Sequence, residues 1–452
     1  MPRILPLTMI ARKAVGGREE AQLKGSAARR ERAAKALESG AGKPGTKSAQ
    51  GSAAAALEVL GVFLRLGLTS FGGPIAHLGY YRSELVERRG WLDERTYADI
   101  VALCQFLPGP ASTETGMTIG ILRAGPLGAL AAWFGFAMPS ALAMILFAYG
   151  VKALGQVAGA AALQGLKIVA VAVVAQAVWR MAASLAQGRA KATIAVAASL
   201  LVLAAPSALG QIGAIALGAV AGLFLPVEIA PEPTTKLAVL LPRGAAIASA
   251  ILFFALLFAL PAFAALYPSH PLALFAAFFR SGALVFGGGH VVLPLLQASV
   301  VPPGWVSNNA FLAGYGAAQA VPGPLFTFAA YLGAAMGGAP SGWLGGLFCL
   351  VAIFLPSFLL LFAILPFWDG LRRRALVRRA MGGVNAAVVG LLLAALYRPV
   401  WTSAIHGPAD FAIGLFAYLL LALWSVPPWL VVILGALAAS LLAALPAFAG
   451  AF

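Results

Sequence analysis

Charge is what this chain has least of. Of its 452 residues only 10% are charged, and Asp and Glu together number 15, where a soluble domain carries about a quarter charged residues. That excludes an ordinary water-soluble globular protein. Cysteine is almost absent too: Cys104 and Cys349 are single and far apart in apolar surroundings. A disulfide framework, a CxxC redox pair and a thiolate zinc cluster are therefore excluded by local spacing. The four histidines, His77, His270, His290 and His406, are scattered, and none stands at metal-ligand spacing from another. There is no Walker P-loop and no GxGxxG in a βαβ setting, so neither ATP nor a nicotinamide has a binding motif. The expectation is a protein that is not an enzyme and has no cofactor and no metal.

Apolar sequence fills the space that charge leaves. The chain is 61% hydrophobic with mean hydropathy +0.91, and runs such as 127–151 and 343–367 are long enough to cross a bilayer. The sequence reads as a polytopic α-helical membrane protein whose environment is the lipid bilayer. The first 52 residues are different: Met1 to Gly51 carries eleven Lys or Arg and four Glu, with no apolar run of signal-peptide length. They read as a disordered basic cytoplasmic tail, with no nucleic acid as partner. Of the net charge of +16, the tail supplies +7 and the remainder +9, an ordinary bias for an inner-membrane protein with basic cytoplasmic loops.

The strongest signal is a duplicated pattern. Phe71-Gly72-Gly73-Pro74, Trp91, Gln105-Phe106-Leu107-Pro108-Gly109-Pro110 and Met138-Pro139-Ser140 recur as Phe286-Gly287-Gly288-Gly289, Trp305, Gln319-Ala320-Val321-Pro322-Gly323-Pro324 and Leu355-Pro356-Ser357. Arg65 and Arg280 precede their FGG motifs by the same interval. Two homologous halves with helix-breaking Gly and Pro inside apolar segments point to a transporter with its site at the repeat interface. The division this suggests is a tail at 1–52, a first transporter repeat at 53–226, a linker with a connecting transmembrane helix at 227–270, and a second repeat at 271–452.

Loop charges orient the halves. The connection 82–95 carries Arg82, Arg88, Arg89 and Arg95, whereas its counterpart 302–309 carries no Lys or Arg. Farther on the bias reverses: Arg372, Arg373, Arg374, Arg378 and Arg379 follow the second Pro-Ser helix, against Lys152 alone in the first half. Basic loops mark the cytoplasmic side, so the repeats are inverted. If the tail and the loop 82–95 are both cytoplasmic, segment 57–81 enters the membrane and returns. The same logic makes broken or re-entrant hairpins of 97–122, 272–299 and 311–337, with about nine full crossings besides.

Half-helices starting after Pro74, Pro110, Gly289 and Pro324 would aim free backbone N–H groups inward, an arrangement that suits an anion. Gly72, Gly73, Gly287 and Gly288 allow close backbone approach. Arg65 and Arg280 are placed to add charge-assisted hydrogen bonds. Ser70, Ser112, Thr113, Thr327, Gln105 and Gln319 offer hydroxyls and amides. A single such break reads better as a packing device; four in symmetric pairs favour a site. Arg65 and Arg280 have the alternative of snorkelling to an interface, and Lys167, whose mirror position lies near Asn385, divides evenly between snorkelling and lining a path. Glu114, just past the first PGP, is an intramembrane acid and by default a functional candidate. It is read as carrying a coupling proton or pairing with Arg65 or another Arg, the bland alternative being a place at the membrane surface facing water. His77 and His290 read as hydrogen-bonding helix residues, and Tyr81, Trp91, Trp305 and Trp401 as interfacial anchors.

Together, Phe71-Gly72-Gly73-Pro74-Ile75-Ala76-His77, Trp91-Leu92, Tyr97-Ala98-Asp99 and Gln105 to Pro110, with their second-half counterparts, resemble the chromate ion transporter family, in its two-domain, long-chain form. The resemblance covers nearly everything after the tail. It implies two oppositely oriented halves, a multi-pass protein of the bacterial inner membrane with a cytoplasmic N-terminus, and secondary active efflux of chromate giving chromate resistance. Sulfate is the isosteric competitor, and its uptake or exchange is the alternative reading. The residues carried over as pathway residues are Arg65, Gly72, Gly73, Pro74, Gln105, Pro108, Gly109 and Pro110, with Arg280, Gly287, Gly288, Pro322, Gly323 and Pro324. Glu114 departs from the family pattern, which has an uncharged residue there. A chromate reductase would need a cofactor or a thiol pair. A homodimer is compatible with the sequence, though a single chain holds a complete pathway.

Overall fold

Glycine and proline cut the apolar sequence into helices at the four places where the motifs fall. The computed structural model describes residues 53–154, 160–226, 241–286, 289–371 and 374–444. The tail 1–52, Gly287 and Gly288, and most of the connection before the linking helix lie outside the described residues. Helix α1 (Ala53–Thr69) stops before the first FGG and α2 (Gly73–Tyr81) starts inside it. Helix α3 (Glu94–Phe106) stops before the first PGP, and α4 (Ala111–Leu154) follows it. In the second half α9 (His270–Ala283) and α10 (Val292–Val300) flank the FGG, and α11 (Asn308–Ala318) and α12 (Phe328–Ala335) flank the PGP. No strand occurs among the described residues.

The chain doubles back at these breaks. Phe63 of α1 meets Tyr81 of α2 with ring centroids 5.4 Å apart, and Cys104 of α3 lies 3.7 Å from Thr118 of α4. His270 at the start of α9 packs on Trp305 beyond α10 at 5.3 Å, and the Tyr331 hydroxyl of α12 donates to the Ala310 carbonyl of α11 at 2.9 Å. Helix α4, at 44 residues, is about twice the length that crosses a bilayer. It loses helical geometry at Ala124 and Gly125, just before Pro126, and so divides into a hairpin arm and a spanning helix. The outer ends of the hairpins are capped by side chains. Asp93 accepts from the Thr96 N–H at 2.9 Å and Ser307 from the Ala310 N–H at 3.2 Å, at equivalent points of the two repeats. The bonds from Thr96 hold the Asp93 carboxyl below its usual range.

The remaining helices repeat in order. Helices α5 (Ala160–Leu185), α6 (Gly188–Ala204) and α7 (Ala208–Gly222) in the first half match α14 (Ala375–Ala395), α15 (Pro408–Ala422) and α16 (Pro428–Ala444) in the second. The spanning part of α4 matches α13 (Gly342–Ile364). Helix α8 (Arg243–Leu266) has no counterpart. Helix α8 thus stands alone between two matched sets. Among the described residues five helices are long and apolar enough to cross a membrane, while α7, α15 and α16 are shorter and apolar. Large side chains such as Leu127, Phe134, Trp179, Phe258 and Leu344 stand exposed on the outside, a surface suited to lipid rather than water.

Inside, each repeat packs across the molecule on the other through glycine. A Cβ on Gly383 of α14 would lie 2.0 Å from the Gly218 carbonyl of α7, and one on Gly165 of α5 would lie 2.5 Å from the Gly435 carbonyl of α16. These crossings are equivalent under the internal repeat. Small residues let backbones touch where lipid supplies no hydrophobic drive between helices. Gly383→Leu therefore forces α7 and α14 apart at a cost above about 3 kcal/mol. The expected outcome is loss of the monodisperse peak on size-exclusion chromatography in detergent, whereas Gly244→Leu, with open space around its Cα, keeps it.

Candidate functional site

The four breaks meet at one place. The Gly109 N–H, in the first PGP, donates to the Val285 carbonyl before the second FGG at 2.7 Å. The Gly323 N–H, in the second PGP, donates to the Ser70 carbonyl before the first FGG at 2.9 Å. Each repeat thus lends the glycine of one break to the carbonyl of the other repeat's break. Both glycines have positive φ, 146° at Gly109 and 100° at Gly323, a backbone region that side chains strain. Neither leaves room for a side chain: a Cβ would lie 2.7 Å from the Ser357 hydroxyl at Gly109, and 2.8 Å from the Ser140 hydroxyl at Gly323. A Cβ on Gly289 would lie 3.7 Å from both Pro74 and Leu325, so the starts of three tip helices converge there.

The segments that begin at this crossing are uncapped. No side chain bonds the first turn of α2, whose N-cap is Gly72, or of the 3₁₀ turn Leu325–Thr327 before α12, whose N-cap is Pro324. Their first amides and positive dipole ends remain available to an external acceptor. Around them are buried polar atoms without a hydrogen-bond partner: the hydroxyls of Ser70, Thr113 and Ser357 and both carboxylate oxygens of Glu114. Native structures leave few such atoms unpaired, so the centre is chemically built for something polar.

Glu114 is fully buried, which removes the alternative of a position facing water. A Cβ on Gly109 would lie 1.9 Å from its Oε1, so the carboxyl rests against the first PGP tip, with the Ser357 hydroxyl beside it. No ion pair joins it to Arg65 among the described residues. Its equivalent in the second repeat is Phe328, which is also buried. The carboxyl therefore makes the otherwise symmetric centre one-sided.

The other nominated residues divide. Ser112 hydrogen-bonds His77 Nδ1 at 3.2 Å, His290 Nδ1 meets the Tyr315 hydroxyl at 2.8 Å, and Thr327 donates to the Pro324 carbonyl at 2.8 Å. Pro108, Pro110 and Pro322 set the turns of the two PGP tips, and Gly73 opens α2 with φ 80°. Arg65, Gln105 and Arg280 are not drawn in alike: Arg65 is on the exposed face of α1 with Leu57, Leu64 and Leu68, Gln105 is exposed, and Arg280 is half-buried. Gln319 lies half-buried at the second tip, and Gly287 and Gly288 fall outside the described residues. Lys167 is mostly buried and reaches Asn309 Oδ1 at 3.3 Å and the Ser403 carbonyl at 3.5 Å. Tyr81 corrects the interfacial reading. It is fully buried, with Phe63 and Phe136 each 5.4 Å away, because α2 turns its C-terminal end into the packed core of the first hairpin. The residues missed were Ser140 and Ser357, although the repeated Pro-Ser pair was the signal that would have found them.

Among the described residues no three His, Cys, Asp or Glu side chains are grouped to hold a metal ion. Cys104 faces Thr118 in one buried cluster, while Cys349 packs against Gly333 in another. Cys104→Ser combined with Cys349→Ser is expected to keep transport within about twofold, since both thiols do packing work. Loss of chromate handling in that double variant would revive thiol chemistry.

Comparison with known proteins finds the same two segments. The profile of the chromate transporter family matches residues 57–223 and again residues 272–440. A chromate transport protein of Pseudomonas aeruginosa is 29% identical over 336 residues, which cover 73% of this chain and 77% of that protein. A probable chromate transport protein of Synechococcus elongatus is 27% identical over 391 residues, covering 83% and 93%. A chromate transport protein of Cupriavidus metallidurans is 25% identical over 343 residues, covering 74% and 80%. No solved structure matches the chain. With the family segment present twice, each copy running through one set of crossing tips, the chain belongs to the chromate transporter family as a two-domain, multi-pass membrane transporter and not an enzyme.

Proposed function

We propose that this protein is a secondary carrier that exports chromate from the cytoplasm across the inner membrane and so confers chromate resistance. The observation that carries the reading is the reciprocal pair of tip bonds, Gly109 to Val285 and Gly323 to Ser70. It brings uncapped helix starts and unpaired hydroxyls to one buried centre. Such a centre suits a small oxyanion, which accepts from N–H and O–H groups on every side. Arg280, half-buried on the helix that leads into the second break, adds positive charge near it, whereas Arg65 on the outward face of α1 does not.

The membrane setting follows from element length. Helix α2 has nine residues, about 14 Å of helix, less than half of a hydrocarbon core of about 30 Å. It supports the reading of the four broken pairs as hairpins that enter and leave on one side. The spanning part of α4 with α5 to α8 and α13 to α16 then makes nine crossings. The arginine-rich loop 82–95 and Arg374, Arg378 and Arg379 face the cytoplasm, as does the N-terminus. Export is the downhill direction for a dianion, since two charges leaving a negative interior gain about 4.6 kcal/mol per 100 mV. Glu114 is the group through which a proton enters the cycle.

The test is chromate accumulation in cells lacking their own exporter, with the wild-type chain or the Arg280→Ala variant, at graded sulfate. Lower chromate in wild-type cells, lost in the variant, is the expected result. Raised chromate that sulfate suppresses would reverse the direction and make the protein a sulfate-type importer.

A further inference from the structure

Arg180 and Arg398 take no part in the tip crossing, yet the internal repeat pairs them. Trp179-Arg180 lies in the last two turns of α5, and Tyr397-Arg398 follows α14, 218 residues later, close to the 217 that separate Pro139 from Pro356. Each arginine lines a cavity. The first, of about 330 Å³, is bounded by Phe71 and Gly72 of the first break, by Gln176 and Arg180 of α5, and by the connection from α15 to α16 with Trp429. The second, of about 260 Å³, is bounded by Pro294 and Gln297 of α10, by Arg398, and by Pro206 and Gln211 at the connection from α6 to α7. These linings are equivalent. Each takes the FGG half-helix and the arginine from one repeat and closes on the last helix connection of the other.

The two cavities lie at opposite ends of the molecule. Helix α14 runs against α5: Gln164 near the start of α5 donates to the Ala404 carbonyl beyond α14 at 2.7 Å, and Lys167 reaches Ser403. Arg398 therefore lies near the start of α5, while Arg180 is thirteen residues past Lys167, about 20 Å along the helix. The aromatic before each arginine, Trp179 or Tyr397, is exposed on the outside at 72% and 61%, which places both arginines at interface depth. Neither arginine has a side-chain hydrogen bond or ion pair among the described residues, and neither cavity has an acidic residue in its lining. Phe71 packs on Trp429 with centroids 6.3 Å apart, between the first cavity and the tip. Phe71 and Gly72 of the first break themselves line that cavity, so it borders the tip crossing directly.

We propose that Arg180 and Arg398 are paired entry and exit subsites for a tetrahedral oxyanion dianion, one at each membrane face, and that the ion passes from one to the other through the tip crossing. The proposal rests on the chromate reading above. Arginine suits the task because its fixed fork matches an oxyanion, and charged side chains at a pathway mouth select by sign. Both arginines are exposed side chains at the cavity mouths, where an incoming anion meets them first.

The test uses the full-length protein in sealed vesicles of both orientations, with chromate flux followed from each face. Arg180→Gln is expected to raise the half-saturating chromate concentration about tenfold from the face of the basic loop 82–95, and to leave the opposite face within about twofold. Arg398→Gln is expected to do the reverse, and the lysine variants to recover part of the loss. Equal effects from both faces, or none, would overturn the proposal. A second arm places Arg180→Cys or Arg398→Cys in the Cys104→Ser, Cys349→Ser background and adds a membrane-impermeant thiol reagent. Labelling from opposite faces is expected; labelling of both from one face would overturn it. If wild-type vesicles carry no chromate, the substrate reading fails, while the labelling still decides whether the two cavities open on opposite sides.

Discussion

Gly323→Val is expected to stop transport, lowering chromate flux by about 100-fold or more while the protein still inserts in the membrane. The physical reason is local. Gly323 has a φ of 100°, which costs a side-chain-bearing residue about 1–2 kcal/mol. Its Cβ would also press on the Ser140 hydroxyl at 2.8 Å and the Phe136 carbonyl at 3.1 Å, adding about 1–3 kcal/mol of overpacking. Together these exceed the net worth of the single hydrogen bond from Gly323 to Ser70, about 1 kcal/mol, so the tip withdraws from the crossing. Gly109→Val acts at the equivalent point, against Ser357 and Glu114, and is expected to match it. Initial chromate flux into proteoliposomes, scaled to inserted protein, reads the effect. Flux within about threefold of wild type in either variant would mean that the ion does not pass the tips.

Glu114→Gln is expected to separate transport from stability. Neither carboxylate oxygen has a well-formed hydrogen bond, and the Ser357 hydroxyl beside the carboxyl can donate equally to an amide oxygen, so unfolding stability should change by less than about 1 kcal/mol. The amide cannot take up or release a proton, and the flux should lose its dependence on pH while the maximal rate falls about tenfold, ~1.4 kcal/mol. Flux against external pH, with thermal unfolding in parallel, is the check. A variant as pH-dependent as the wild type would remove Glu114 from the coupling and leave it a structural acid. Glu114→Phe adds a sharper comparison. It copies Phe328, restores the symmetry of the two repeats, and is expected to leave only potential-driven flux.

Much of this architecture was legible in the chain because its signals are local and repeated. Helix breaks follow from Gly and Pro at Phe71-Gly72-Gly73-Pro74 and Pro108-Gly109-Pro110, and inversion follows from arginines that move to the other loop in the second half. What was not legible depends on which face each helix turns inward. Tyr81 looked like an interfacial ring because it adjoins the basic loop, yet α2 buries it between Phe63 and Phe136. Arg65 looked like the partner of the break, but it shares the outward stripe of Leu57, Leu64 and Leu68. The i, i+4 spacing from Gly61 was a readable hint of that orientation. The partners of the tip glycines were harder still. Ser70 and Val285 lie more than 170 residues from the glycines that bond them, and backbone carbonyls leave no trace in residue type. The glycine crossings of α5 with α16 and of α7 with α14 were hidden for the same reason, since Gly is common throughout.

The measurement that reaches the central claim most directly is chromate flux through the purified protein in liposomes, with the interior held negative or at zero potential. The account predicts saturable chromate export from a negative interior, several-fold faster than at zero potential, and absent from both the Gly109→Val and Gly323→Val proteins. Chromate flux no faster than in protein-free liposomes, at either potential, would contradict it.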